Sequence, residues 1–533
     1  MKVSRRQIVK ACVATAALQA ADLAWPCRSA AAVERDGFRW MNKHQNVEAT
    51  VWRHYDVWNH RGEGTGVGLE CWRGGVTTLR GILDDAQARG RRVRAVGRRW
   101  SLSPVAVCPD IMINTTPLDY RVVGLPASDI STSAVDPSRL VFAQCGTSVL
   151  ELSLTLESRG LSLPTSGASN GQTICGAIAT GTHGSARRVG SMQDYILGFH
   201  LLGDDGRHYW VERASKPVVS EAFCQKLGAT LRRDDQLFRA AVVSFGSFGI
   251  MHAVLFEAVP LYLLEVHRRR LDWPMVRDAA ATLDLDPLRL PYPGVEPFHF
   301  EVAVNPYSAK PGQRGAVATA MYKQPYREFA RRTPGDVTMA PGVDLLAVSG
   351  RLATLLPAAI PAGVNSMLNA MMKVNALPAL GTHSEIFDTT ELVGKSLSAE
   401  VGVDLSNAGA AIDTLIDVAA GYPFPGLFGL RYVQRSDAFL AFTRFGTTCT
   451  IEMTGAGSRR TLSFYDRAWT ALDRARIPYT LHWGKVNNTT GDNIRARWGS
   501  DVDNWLSARR SLLTRAGRAM FTNDLLAKCQ LHV

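Results

Sequence analysis

Nothing in this 533-residue sequence repeats at a fixed period and no stretch is low in complexity, which excludes solenoid and collagen-like chains. There is no Walker sequence. The glycines of Gly62-Glu63-Gly64-Thr65-Gly66-Val67-Gly68 miss the G-x-G-x-x-G spacing and follow no convincing strand, so a doubly wound dinucleotide site is not supported. Cysteine is sparse and carries no CxxC or metal-ligand spacing. An odd seven cysteines remain beyond residue 32, so a disulfide framework is not expected and at most one bridge stays open. No lysine-rich tail or DNA-reading motif accompanies the excess of 60 basic over 48 acidic residues, so the net charge of +12 reads as a basic enzyme with no nucleic-acid partner. The apolar and charged fractions, 46% and 20%, are those of a globular chain, and the length calls for two or three domains.

Two arginines in Ser4-Arg5-Arg6-Gln7-Ile8-Val9-Lys10 precede a mild apolar stretch, residues 11–21, that is too short to span a bilayer. Ala30-Ala31-Ala32 then offers an A-x-A processing site. The order resembles a twin-arginine export signal, against an amphipathic N-terminal helix as the plainer reading. The resemblance implies loss of residues 1–32, a mature charge near +8, passage through the Tat translocase and a periplasmic or secreted destination. Such substrates commonly cross already folded around a prosthetic group.

Apolar spacing predicts a helix over 76–89 stopped by Gly90, and a strand over 93–96 broken by Gly97. A second strand is expected at 140–143, followed by a helix with Ser148 and Glu151 as capping box. Strands and helices alternate over 50–262, with glycine at the junctions and a strand at 250–258. Pro260 marks a boundary. Beyond it lies an α+β region with a strand at 398–405 and a helix at 407–420. Arg351, Pro357 and Pro361 rule out a spanning helix in the apolar stretch 343–380, leaving a buried helical excursion or a membrane-facing surface.

Two segments carry the chemistry. In 93–104 a strand runs into Gly97-Arg98-Arg99-Trp100-Ser101, a turn whose successive N–H groups can face a phosphate. Residues 163–185 are dense in small residues, including Gly167, Ala168, Thr173, Gly176, Thr180, Gly181, Thr182 and His183, which lets backbone approach a flat ligand closely. In this order the pair resembles the vanillyl-alcohol-oxidase, or PCMH-type, FAD-binding domain. The closest branch is that of aldonolactone oxidases, alditol oxidases and type II cholesterol oxidases. Residues 246–260 resemble that domain's strand at the adenine end, with Ile250 at the contact position. His482-Trp483-Gly484-Lys485 matches a tetrapeptide of lactone and alditol oxidases, and Phe521-Thr522-Asn523-Asp524 their closing segment. The implied fold is α+β: a two-subdomain FAD-binding domain over 50–262, an α/β cap over 266–478, and a C-terminal segment, 479–533, returning to the flavin.

The departures are informative. Trp100 stands where the family usually has a histidine joined covalently to FAD, which implies non-covalent FAD with Trp100 packing on the isoalloxazine. His183 matches a structural position. Gly167 replaces an alanine that shields the flavin from oxygen in plant lactone dehydrogenases, which points to an oxidase. An acid-x-arginine pair on a cap strand appears as Gly429-Leu430-Arg431, arginine kept and acid lost. Thr450-Ile451-Glu452-Met453-Thr454 matches a substrate-lining strand, with Thr454 and Gly167 as substrate contacts. Ala168 replaces a polyol-binding serine. Those losses argue against an alditol and leave a lactone or a less polar alcohol.

The resemblance thus implies hydride transfer from a carbinol carbon to flavin and then to O2, giving hydrogen peroxide. Arg431 and Lys485 stabilise negative charge, and Glu452 or His482 takes the hydroxyl proton. Each has a plainer alternative: Arg431 pairing a surface acid, Glu452 at a strand edge, His482 satisfied in the core, Lys485 in solvent. A sugar 1,4-lactone is the first substrate expectation, and a sterol-like or other lipophilic alcohol the second. The rival from another class is a flavin-bearing binding or maturation protein without turnover.

Overall fold

The computed structural model of the protein describes residues 31–60, 68–333, 357–372, 374, 377–389 and 395–533. Residues 1–30 of the expected export signal, most of the glycine cluster 62–68, and residues 343–356, 373, 375 and 376 of the apolar stretch lie outside them. The described chain is α+β, as the resemblance implied.

Its first sheet joins the hairpin β1 (Ala32–Met41) and β2 (Glu48–Val57) to β3 (Val93–Val96) and β4 (Ile111–Asn114), in the order β1-β2-β4-β3. The helix Leu69–Ala88 covers it with Trp72, Leu79, Leu83 and Ala86. A second sheet has β5 (Arg121–Val123), β6 (Leu140–Gln144), β8 (Ile196–Leu202), β9 (His208–Glu212), β10 (Thr230–Arg233) and β11 (Ile250–Glu257), ordered β10-β9-β8-β11-β6-β5. The short β7 (Leu161–Ser162) and β12 (Val259–Pro260) pair beside it. These sheets share one core, which the chain completes only at its far end. Ala438 to Phe442, Trp483, Trp498, Trp505 and Leu531 are all buried in it.

After β12 the chain enters an eight-stranded antiparallel sheet. Its strands are β13 (Tyr262–Leu271), β14 (His299–Val304), β15 (Ala316–Pro325), β16 (Ala379–Gly381), β17 (Ser396–Asp404), β18 (Gly426–Gln434), β19 (Thr447–Ala456) and β20 (Tyr479–Leu481). Their order is β16-β13-β15-β14-β18-β19-β17-β20. Period-two alternation gives this sheet two unlike faces. Val302, Leu430, Ile451, Ala399 and Val401 pack under the helices Trp273–Thr282, Ala408–Gly421 and Arg459–Arg474. The alternate residues Glu301, Arg431, Glu452 and Glu400 point the other way, toward the glycine-rich loops.

The helix Ile360–Met371 buries Ile360, Val364, Met367 and Leu368 against Ala303, Val317 and Leu427. That part of the apolar stretch is a packed excursion, and among the described residues no helix is long and apolar enough to cross a membrane. Cys71 is disulfide-bonded, whereas Cys108, Cys145, Cys175, Cys224, Cys449 and Cys529 are free.

Candidate active site

A cavity of about 360 Å³ lies between the glycine-rich loops and the charged face of the eight-stranded sheet. The two segments paired by sequence meet at its wall. A Cβ on Gly97 would stand 2.2 Å from Thr173 Oγ1, so only glycine lets the turn lie on the start of the helix Ile174–Ala179. Arg99 is held at φ 63°, a left-handed conformation that bends the Gly97–Ser101 turn and can aim successive N–H groups inward. The guanidinium of Arg98 turns to Glu151, Nη2 to Oε1 2.8 Å, tying the turn to the helix Val149–Glu157. Gly97, Arg98, Arg99, Trp100 and Ser101 all line the cavity. So do Gly167, Ala168, Thr173, Gly176, Thr180, Thr182 and His183. Gly181 and Ile250 are not among the lining residues; Gly249 and Met251, on either side of Ile250, take that place.

The eight-stranded sheet and the residues just after β20 contribute a compact charge cluster. Arg431 Nη1 lies 2.7 Å from Glu452 Oε2 and its Nε 3.3 Å from Glu301 Oε2. Lys485 Nζ sits between two carboxylates, 2.6 Å from Glu452 Oε1 and 2.7 Å from Glu400 Oε2. Ser398 and Thr454 also donate to Glu452 Oε1, at 2.7 and 2.9 Å. Burial pushes the Glu452 carboxyl up, but Lys485 and Arg431 outweigh it and hold the group well below the usual carboxylate range. Glu301 is likewise held down against its burial by His299 and Arg431. Arg431 and Lys485 are therefore neither surface-paired nor in solvent, and Glu452 lies inside the sheet.

The acid missing before Arg431 is restored in space. Gly429 pairs with Glu452 across β18 and β19, and Glu301 pairs with Arg431 across β14 and β18. A Cβ on Gly429 would sit 3.8 Å from that of Glu452. Two neighbouring strands thus supply the carboxylates that the strand of Arg431 lacks.

His482 is buried and tilted against His183 and Phe442. Burial lowers its pKa to about 3, and its Nδ1 accepts the Gly484 N–H at 2.9 Å. The ring is then neutral with its hydrogen on Nε2, so it can donate to a ligand but has no free lone pair. Of the histidine and acidic lining residues, three escaped the sequence reading: His44, Glu301 and Glu400. His44, on the turn after β1, is lowered to about 4 by burial and holds Ser396 Oγ at 3.0 Å. Glu400 Oε1 also lies 3.2 Å from His183 Nε2. With His482 these two form a group whose donor atoms lie within 4.8 Å of one another, and the cation that Glu400 meets is Lys485.

The far end of the cavity suits an anionic, flat ligand. Arg94 is buried there, with Nη1 on the Phe245 carbonyl at 2.7 Å and Nε and Nη2 without partners among the described residues. A buried guanidinium left short of acceptors favours a phosphate-bearing ligand alongside it. Trp100 presents a large aromatic face at the other end, with Lys43 over its ring. Glycine approach, aromatic face and basic wall together fit FAD.

Residues 75–212 match the model of a family described as an FAD binding domain. The chain is 27% identical to an L-gulono-1,4-lactone dehydrogenase of Mycobacterium tuberculosis over 430 residues, 79% of this chain and 87% of that protein. It is 36% identical to a putative D-arabinono-1,4-lactone oxidase of Neurospora crassa over 189 residues, 36% of this chain and 29% of that one. Among solved structures it resembles the cholesterol oxidase of B. sterolicum with a TM-score of 0.66 at 13% identity, covering 93% of this chain and 97% of that one. These are the relatives that the residues pointed to. FAD is the cofactor, and the protein is an FAD-dependent oxidoreductase acting on CH–OH groups.

Proposed function

We propose that the protein is an exported oxidase that takes hydride from the carbinol carbon of a sugar 1,4-lactone and passes the electrons to O2, giving hydrogen peroxide. The observation that carries this reading is that Arg431, Glu452 and Lys485 line the same cavity as the Gly97–Ser101 turn and the 167–183 loop. The homology to a lactone dehydrogenase over most of the chain supports the substrate class.

Bound FAD supplies the two-electron acceptor. The chain's own residues do the rest. Glu452 Oε1 already meets Ser398, Thr454 and Lys485, whereas among the described residues Oε2 is met only by Arg431, so Oε2 is the oxygen with capacity left to accept the substrate hydroxyl. Its lowered basicity is no obstacle, because the hydroxyl proton grows strongly acidic as hydride departs from the same carbon. His482, whose lone pair is engaged by Gly484, serves as a donor and not as the base. Arg431 and Lys485 hold fixed positive charge where oxygen and cofactor become more negative, and need no reorganisation to do so. Gly167 leaves its side of the cavity free of a methyl group; a Cβ there would press on Thr182 Cγ2 at 2.8 Å.

A second reading, a lipophilic alcohol, is favoured by one observation. Ala303, Leu427 and Met372 form an apolar wall beside the charged cluster. A peroxide screen over lactones, polyols, sterols and aromatic alcohols decides between them. Turnover of sterols alone would exchange the two readings, and no flavin reduction by any compound would leave only a flavin-binding role. Export rests on Arg5 and Arg6; replacing both by lysine should retain precursor in the cytoplasm, and unimpaired export would refute it.

A further inference from the structure

Glu400 has no task in the chemistry above, yet it is fully buried and lines the same cavity. It stands directly across from Glu452 in the pairing of β17 with β19. Two carboxylates facing each other on adjacent strands repel. Here one ammonium, Lys485 Nζ, lies between them at 2.7 and 2.6 Å. The other oxygen of Glu400 meets His183 Nε2 at 3.2 Å, and Arg431 Nη1 is 3.9 Å away. His183 is itself fixed, its Nδ1 on the Gly184 carbonyl at 2.8 Å. Glu400 therefore joins three separate stretches of chain: the glycine-rich loop, the cap sheet and the C-terminal segment.

We propose that Glu400 is a positioning residue of this site, which fixes Lys485 between the strands and by its charge limits how strongly the cavity attracts anions. Without it, Arg431 and Lys485 would face only Glu301 and Glu452. Lys485 would be free to swing wholly onto Glu452, whose proton-accepting oxygen the chemistry needs, and the reacting end would become more positive. With it, the two cations are matched by carboxylates on three strands and retain their places. The inference rests on the reading that FAD is reduced in this cavity.

Glu400→Gln keeps the shape and removes the charge. Sulfite, an anion that adds to oxidised flavin and bleaches it, is the probe on the FAD-loaded protein. The expected result is a sulfite dissociation constant at least tenfold lower than wild type and a flavin midpoint potential moved in the positive direction. Equal sulfite affinity and potential in loaded wild type and variant, with only melting temperature or FAD content reduced, would make Glu400 a mere structural tie and overturn the proposal. Should that variant not accumulate, Glu400→Asp keeps the charge but withdraws it from Lys485. It should lower the limiting rate of anaerobic flavin reduction while sulfite affinity stays near wild type, and an unchanged limiting rate would overturn the proposal. A wild-type protein that binds no FAD would instead overturn the functional reading itself, and the proposal with it.

Discussion

Arg431 illustrates what a sequence can and cannot tell about a single side chain. Its place on a cap strand follows from the family-like Gly429-Leu430-Arg431, but its partners come from two other strands, Glu301 and Glu452. A carboxylate supplied across a sheet leaves no local spacing to read, which is why Glu301 and Glu400 escaped notice. The one available signal for Glu400 was a lone acid in the apolar run 396–403, where its face is shared with Ser396 and Ser398. His44 gave none, being on a turn far from every motif. If Arg431 faces the reacting atoms, Arg431→Ala should slow anaerobic flavin reduction about 100–1,000-fold at normal FAD content. A loss of melting temperature with normal reduction per loaded molecule would place it outside the chemistry. Trp100 carries no nucleophile, so acid precipitation should release the FAD into the supernatant; flavin fluorescence remaining on the denatured chain would contradict non-covalent binding.

Local elements were legible where one residue type has one physical use. Strand β3 occupies the expected 93–96, and Ser148 and Glu151 form the expected capping box, each bonding the other's backbone N–H. The first helix was read too short, from 76 where it begins at Leu69. Gly74 and Gly75 look like breakers, but they are contact glycines: added Cβ atoms would stand 2.1 Å from the His60 carbonyl oxygen and 2.9 Å from Asn59 Oδ1. The cap helix expected at 407–420 runs Ala408–Gly421, with Ala411, Ile412, Leu415 and Ala419 buried and Ile416 only partly so. Glycine contact also yields a test of the cofactor turn. Gly97→Ala drives a methyl into Thr173, so it should purify with FAD content reduced at least severalfold, and Gly97→Ala with Thr173→Ala, which removes both clashing atoms of the threonine, should recover part of it. Full FAD occupancy in the single variant would show that the turn does not need this close approach.

At the scale of the whole molecule, the C-terminal segment returns to an earlier core: its tryptophans close the sheets that the first half of the described chain builds. Sequence likeness at 521–524 hinted at this return, but which strands meet was not legible, because cross-strand order depends on contacts hundreds of residues apart. Buried histidines that line the cavity should also govern stability against pH. Burial lowers His44 from 6.5 to about 4 and His482 to about 3, so the unfolded chain binds these protons first. The stability these two histidines contribute is then complete above about pH 6.5 and is lost toward pH 4, His44 alone accounting for a loss on the order of 2 kcal/mol by pH 5, while Asp194, raised to about 7 by burial, works in the opposite sense. The depressed carboxyls of Glu301, Glu400 and Glu452 add to the loss only below their ordinary range. Urea midpoints measured from pH 8 to 4 should fall less steeply below pH 6.5 in His44→Gln than in wild type; equal profiles would refute the assignment of a neutral buried His44. The central claim, that one cavity holds FAD against an alcohol-oxidising charge cluster, is tested most directly by stopped-flow spectroscopy of the purified yellow protein. Anaerobic mixing with an aldonolactone should bleach the flavin absorbance in wild type and not in Glu452→Gln, and admitting oxygen should restore the colour with one hydrogen peroxide formed per flavin. Absorbance unchanged in wild type across lactones and lipophilic alcohols alike would contradict it.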